Sequence, residues 1–398
     1  MSKTSLALRN LRGAVILLIL AFHSFVAYIA THPAAPSPFD SPPYAWLGFP
    51  IIDSDRWIGF DLFCASQFLY LMQLMFFLSG LFVWPSLSRR GSTAFLARRL
   101  VRLGVPFVLG VYLLMPIAFF PVYRVTAADP SWSAFRSHWA ALPFTPAGPL
   151  WFLWFLIVLD SASAALYALF SRKRDLFISL FARILCRPAR FFLLVIFVSA
   201  TAYLPLATLY PPWRWIGFGP FEVQPSLAPQ YAIYFFAGVA VGALGYERTL
   251  PDLDAPFAGR WGRLLVGALA SFMLWIVSTA LVVDGTHSNA ALQLSAELGF
   301  VLFAATACFS ALALALRFGG ARMPILDHIS DNAYGIYFFH YPIVLWLQYL
   351  LLGVAFPAVG KGAAVFAFAV ILSAGASIVA SWIVTNASLL FRRRATSP

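Results

Sequence analysis

Few residues in this chain are able to do chemistry, and most of them sit inside long apolar runs. Arg12 and His23 lie in the first such run, eleven positions apart. On an α-helix that separation is about 1100° of rotation, which leaves the two side chains about 20° apart on one face, with a rise of about 16 Å between them. Arg12 then stays near one set of headgroups while His23 lies near or past the bilayer midplane. Two groups so placed do not hold one small molecule. They suit the two ends of a long ligand, an anionic end at Arg12 and a reactive end at His23. A topogenic arginine and a histidine bonded to a neighbouring helix explain the same spacing.

A second cluster is Ser88-Arg89-Arg90 through Arg98-Arg99-Leu100-Val101-Arg102-Leu103-Gly104-Val105-Pro106. On an α-helix Arg99 and Arg102 are i,i+3 neighbours, a fork that suits a phosphate. An ordinary positive-inside cluster on lipid phosphates is the alternative. The third is Asn332 through Pro342, reading Asn-Ala-Tyr-Gly-Ile-Tyr-Phe-Phe-His-Tyr-Pro. Here His340 falls about 10 Å along a helix, at a depth that lets it approach His23. Tyr334, Tyr337 and Tyr341 also fit an interfacial aromatic belt. Asp61, Asp160 and Glu297 fall near span ends, where solvated or capping roles explain each singly. Ionisable groups at membrane depth are costly and are functional candidates by default. The sequence has no P-loop, GxSxG elbow, HExxH signature or paired Cys/His cluster, and no metal ligation is expected.

The elements that must carry these residues follow from composition. The 398 residues are 61% hydrophobic and 17% aromatic with only 11% charged, against about 25% charged in soluble domains. With a mean hydropathy of +0.82, the chain reads as an all-α integral membrane protein. Ten candidate spans fall at 13–31, 61–84, 104–122, 150–170, 190–209, 229–245, 263–283, 293–317, 333–352 and 362–386, each near the length that crosses a bilayer. The first resembles a signal peptide but is long and has no convincing cleavage site, so it reads as a retained span.

The net charge of +12 reflects basic residues at the ends of apolar segments, which indicates topology and not nucleic acid. With a cytoplasmic N-terminus, 22 of the 27 lysines and arginines fall inside, leaving Arg56, Arg124, Arg136, Arg214 and Lys361 outside. Both termini are therefore expected in the cytoplasm, around a single domain over 1–398 with a core of about 8–386 and a basic tail at 387–398. Residues 32–59, 123–149 and 210–228, rich in Pro, Trp and Gly, form the outer, substrate-facing connections. Cys64, Cys186 and Cys308 lack metal or redox spacing, and no disulfide is expected.

Several stretches together resemble acyltransferase family 3, the integral membrane O-acyltransferases, most closely its glucan biosynthesis protein C subgroup. Leu11-Arg12-Gly13 through Phe22-His23 is similar to the family's Arg-x10-His first helix. Gln73 to Gly80 is similar to its FF-x-x-SG stretch, and Arg99 to Pro106 to its RxxR-x-G-x-P segment. Leu150-Trp151-Phe152-Leu153 resembles its LWFL opening, and Tyr334 to Pro342 its YGIY-x-x-H signature.

The resemblance implies an acyl-CoA-dependent O-acyltransferase of the cell inner membrane. It would take an acyl group from cytoplasmic acyl-CoA and place it on a hydroxyl of an extracytoplasmic glycan or similar acceptor. It has membrane lipids as neighbours, no nucleic-acid partner and no permanently bound cofactor. On this reading Arg12, Arg99 and Arg102 hold the donor's phosphates. His23 acts as base, with His340 beside it in catalysis, because a sugar hydroxyl needs a base that titrates near neutrality. The alternative is a proton-coupled transporter or flippase of a glycan or lipid-linked substrate, using His23, His340, Asp61 and Glu297 as a relay. A third is a scaffold that only supports glycan assembly.

Overall fold

The computed structural model describes residues 2–170, 179, 182–183, 187–245, 258–284 and 289–395, with side chains to 386. Cys186, Arg172, Lys173, Arg174 and Arg248 lie outside the described residues, as do the side chains of Arg392, Arg393 and Arg394. The chain is 78% helical. Among the described residues its α-helices are α1 (Lys3–Phe25) and α2 (Ile58–Gly80), then α3 (Val83–Arg90), α4 (Ser92–Arg99), α5 (Val105–Leu109) and α6 (Met115–Thr126). They continue with α7 (Trp132–Ala141), α8 (Trp151–Leu169), α9 (Pro188–Ala207), α10 (Ala228–Ala243), α11 (Trp261–Asp284) and α12 (Ala290–Phe318). The last are α13 (Pro324–Asp331), α14 (Ala333–Leu350) and α15 (Ala358–Ala395).

Among the described residues, eight helical stretches are long and apolar enough to cross a membrane: Lys3–Tyr28, Ile58–Arg90, Ser92–Thr126, Gly148–Leu169, Pro188–Ala207, Trp261–Val283, Ala290–Phe318 and Ala358–Asn386. The chain is thus an all-α, multi-pass membrane protein. Two expected spans fold as helices of a different character. The 16 residues of α10 reach only about 24 Å. The 18-residue α14 carries His340, Gln348 and several tyrosines along an otherwise apolar sequence.

Local sequence explains the irregular stretches. Between α4 and α5, Leu100–Gly104 is a π-helical turn, and Gly110–Leu114 is a second before α6. Each stops just ahead of a proline, Pro106 or Pro116. A proline has no N–H for the carbonyl four residues back and its ring crowds that carbonyl, so the widened turn accommodates it. Elsewhere Ser131 and Asn289 begin α7 and α12 by accepting from the backbone N–H of Ala134 (3.2 Å) and Leu292 (2.8 Å).

The described residues group into two compact units. Unit 1 is Met1–Leu11, Ser66–Phe107 and Trp151–Arg322. In it α11 and α12 pair along their lengths, α9 packs on α10 and α12, and α4 packs on α8. The closest approach is between α2 and α10: a Cβ on Gly80 would strike the Phe235 carbonyl, one on Gly238 the Phe77 carbonyl, and one on Gly242 the Leu81 carbonyl. Gly238 and Gly242 form the small-xxx-small pattern that lets membrane helices touch backbone to backbone. Fully buried Gln73 and Gln230 add an interhelical hydrogen bond of 3.1 Å between the same two helices. Asn10 donates to the carbonyls of Gly319 (2.7 Å) and Ala321 (2.9 Å), which satisfies the open end of α12. A small antiparallel hairpin, β1 (Ile216–Phe218) with β2 (Phe221–Val223), rests on α8 where Trp154 donates to the Glu222 carbonyl at 3.2 Å.

Unit 2 is Arg12–Ala65, Val108–Leu150 and Met323–Pro398, with α14 packed between α15 and α6. Residues 29–57 fold back onto the helices. Asp53 N–H donates to Ala27 and Trp57 N–H to Tyr28. Lys361, fully buried on α15, donates to both oxygens of Asp53 (3.0 and 2.9 Å) and to Asp55 (2.7 Å). The Asp61 carboxylate accepts from the N–H of Ala30 (2.6 Å) and from the N–H and hydroxyl of Thr31 (2.9 and 2.6 Å).

Candidate functional site

In unit 2, α1 presents His23 and α14 presents His340 with ring centres 5.2 Å apart. The depth match read from sequence is therefore a contact. Tyr341 stands edge-on to His23, also at 5.2 Å. His340 is fully buried, and its Nδ1 lies 2.6 Å from the Tyr337 carbonyl. A carbonyl only accepts, so Nδ1 carries the proton and Nε2 keeps its lone pair. That Nε2 has no hydrogen-bond partner among the described residues. His23 is half-buried.

The surroundings hold both rings in place. Tyr337 donates its hydroxyl to the Pro149 carbonyl. The adjacent Gly148 has φ +50°, and a Cβ there would lie 2.9 Å from Met115 Sδ and 3.1 Å from the Tyr341 ring. Only glycine fits both the backbone and the space. Gln348, fully buried two turns beyond His340, donates from Nε2 to the carbonyls of His23 (2.8 Å) and Ser24 (3.2 Å). These carbonyls belong to the last turn of α1, where the α-helix gives way to a 3₁₀ turn at Val26–Tyr28 and lacks ordinary helical donors. Sequence reading missed Gln348, although a glutamine in the middle of an apolar span is a signal in itself. Arg12, on the same helix as His23, is exposed.

In unit 1 the arginine segment is built differently from the α-helical fork. The π-helical turn begins right after Arg99, so Arg102 is placed by a wider turn, and it is exposed. The Arg99 side chain is 20% exposed and its Nε lies 3.1 Å from Asp160 Oδ2, a carboxylate with no exposure at all. The distance is that of an ion pair, although its alignment falls short of a hydrogen bond. The ring of Phe95 flanks the guanidinium at 5.3 Å. Asp160 is therefore no solvated or capping residue near a span end: it is buried against Arg99. Glu297 is half-buried on α12, and Asp61 is committed to residues 30–31.

The structure is thus that of a multi-pass helical membrane protein with a close histidine pair in unit 2 and a buried arginine–carboxylate pair in unit 1. The comparisons with known proteins give its family. A family model described as an acyltransferase domain matches residues 5–385. The chain belongs to that family, acyltransferase family 3, and is a membrane acyltransferase acting on a hydroxyl. No curated protein and no solved structure matches it.

Proposed function

We propose that this protein is an acyl-CoA-dependent O-acyltransferase of the inner membrane, allied to the glucan biosynthesis protein C subgroup, that modifies an extracytoplasmic glycan. The observation that carries the reading is the His23–His340 pair: a half-buried imidazole against a fully buried one whose Nε2 lone pair is unspent. His23 takes the proton from the acceptor hydroxyl as its oxygen attacks the thioester carbonyl. The tetrahedral intermediate collapses with cleavage of the carbon–sulfur bond, and the leaving CoA thiolate takes that proton from His23. His340, its ring centre 5.2 Å from that of His23, offers its Nε2 lone pair to the neighbouring imidazole while His23 is charged.

Arg99, Arg102 and Arg12 bind donor phosphates at the cytoplasmic side, and the extended pantetheine arm carries the acyl group into the membrane. CoA is a substrate here and not a resident cofactor. Ten spans with both termini inside, α10 and α14 supplying two of them, agree with the basic residues gathered on one side.

The test is thiol release by purified enzyme in nanodiscs from acetyl-, succinyl- and longer acyl-CoA, with and without periplasmic polysaccharide. Wild type releases CoA, and His23→Ala loses at least 100-fold of the rate while keeping its thermal midpoint. Near-wild-type release by folded His23→Ala overturns the assignment.

A further inference from the structure

We infer that Asp160 is a positioning residue for donor binding, one that fixes the Arg99 guanidinium so that its outer edge meets the donor's phosphate. The inference rests on the reading of Arg99 as a phosphate ligand. A carboxyl group with no solvent exposure, on an apolar span, needs a partner to compensate it. Among the described residues its ion-pair partner is Arg99, through Nε at 3.1 Å. Neither Asp160 oxygen has a hydrogen-bond donor, so its interaction is directed at that one cation.

The geometry decides what remains available on Arg99. A guanidinium offers five N–H donors in a rigid fork. Asp160 takes the Nε side and Phe95 lies against the face at 5.3 Å, which restrains the plane from two directions. The two terminal nitrogens stay free to bind two phosphate oxygens side by side. The 20% exposure of the Arg99 side chain is consistent with an edge left open. Arg102, within the π-turn and exposed, adds positive charge. Arg99 thus supplies orientation and Arg102 attraction.

A carboxylate beside a phosphate site has an opposing effect, because it lowers the local positive potential. If Asp160 acted only through charge, its neutralisation would tighten donor binding. Positioning predicts the reverse sign. Asp160→Asn raises the KM for acyl-CoA about tenfold and leaves kcat within twofold. Asp160→Glu, which restores the charge at a slightly different reach, recovers part of the loss. In an Arg99→Ala background, where KM is already raised at least tenfold, Asp160→Asn adds nothing.

The experiment measures initial rates of thiol release against acyl-CoA concentration for these four variants in nanodiscs, with binding of CoA itself by calorimetry and thermal midpoints alongside. An unchanged or lowered KM in Asp160→Asn, or an effect that persists in the Arg99→Ala background, overturns the inference. If Arg99→Ala itself leaves KM unchanged, the phosphate reading has failed and the inference falls with it. Where Asp160→Asn alone folds poorly, Asp160→Ala carries the comparison: a KM raised toward that of Arg99→Ala supports positioning, and a wild-type KM rejects it.

Discussion

His340 stands with its ring centre 5.2 Å from that of His23, while its Nδ1 proton is committed to the Tyr337 carbonyl at 2.6 Å. One nitrogen is therefore structural and the other is free for the neighbouring imidazole. Two substitutions separate these roles. His340→Asn keeps an N–H where Nδ1 stood and restores the bond to Tyr337, but has no group at Nε2. His340→Ala removes both. If the lone pair serves His23, both variants lose kcat by roughly 10²-fold, the lower end for a proton-transfer partner, and the asparagine variant keeps the wild-type thermal midpoint. Recovery of activity in His340→Asn would show instead that the residue only ties down its own helix.

Gln348 sets where His23 sits along the other helix. Its amide satisfies two carbonyls of the last turn of α1, each of which costs about 1–3 kcal/mol when buried and unpaired. Gln348→Leu removes the donor and keeps an apolar side chain of similar size. The thermal midpoint falls and kcat drops about tenfold through misplacement of His23, with the KM for acyl-CoA unchanged because the substitution touches neither Arg99 nor Arg102. A folded leucine variant with wild-type kcat would mean that α1 holds its end without this bond.

Much of this arrangement is legible in the residues themselves. Apolar runs locate the helices, and the eleven-residue step from Arg12 to His23 and the depth of His340 bring the two imidazoles to one level. What local pattern does not reveal is long-range pairing. Asp160 reads as a span-end carboxylate until α4 is packed on α8. Lys361 reads as an outer-face charge until residues 29–57 fold back over it. The π-turns had a signal that helical spacing overlooks, since Pro106 and Pro116 each remove a donor inside an apolar helix, and that is why the α-helical fork of Arg99 and Arg102 is not what forms.

Lys361 sits buried in a cluster of charges in unit 2. With no exposure it donates to three carboxylate oxygens of Asp53 and Asp55. Burial of one charge without its partner is expensive, so Lys361→Met destabilises the protein by about 3–5 kcal/mol. The triple variant Asp53→Asn/Asp55→Asn/Lys361→Met, which removes both signs together, is closer to wild type than Lys361→Met alone. Denaturation midpoints in one detergent give the comparison. Equal loss in the single and triple variants would assign the effect to packing and not to charge.

His32 gives the same region a dependence on pH. It lies just beyond the first span, 6% exposed, with its ring edge-on to Phe49 at 4.9 Å. Burial holds its imidazole down at about 4, and the nearby Arg56 cation adds to the depression. In the unfolded chain the same group titrates near 6.5. Between these values the unfolded state binds a proton that the folded state refuses, so stability rises with pH across the window. The contribution is fully present above about 6.5 and is lost progressively as the pH falls toward about 4. Thermal midpoints measured at intervals from pH 7.5 to 4.5 should fall by a few degrees more in wild type than in His32→Gln, which has no proton to take up. Parallel curves for the two proteins would show that protonation of His32 does not oppose folding of residues 29–57, and that the acid sensitivity lies with other groups.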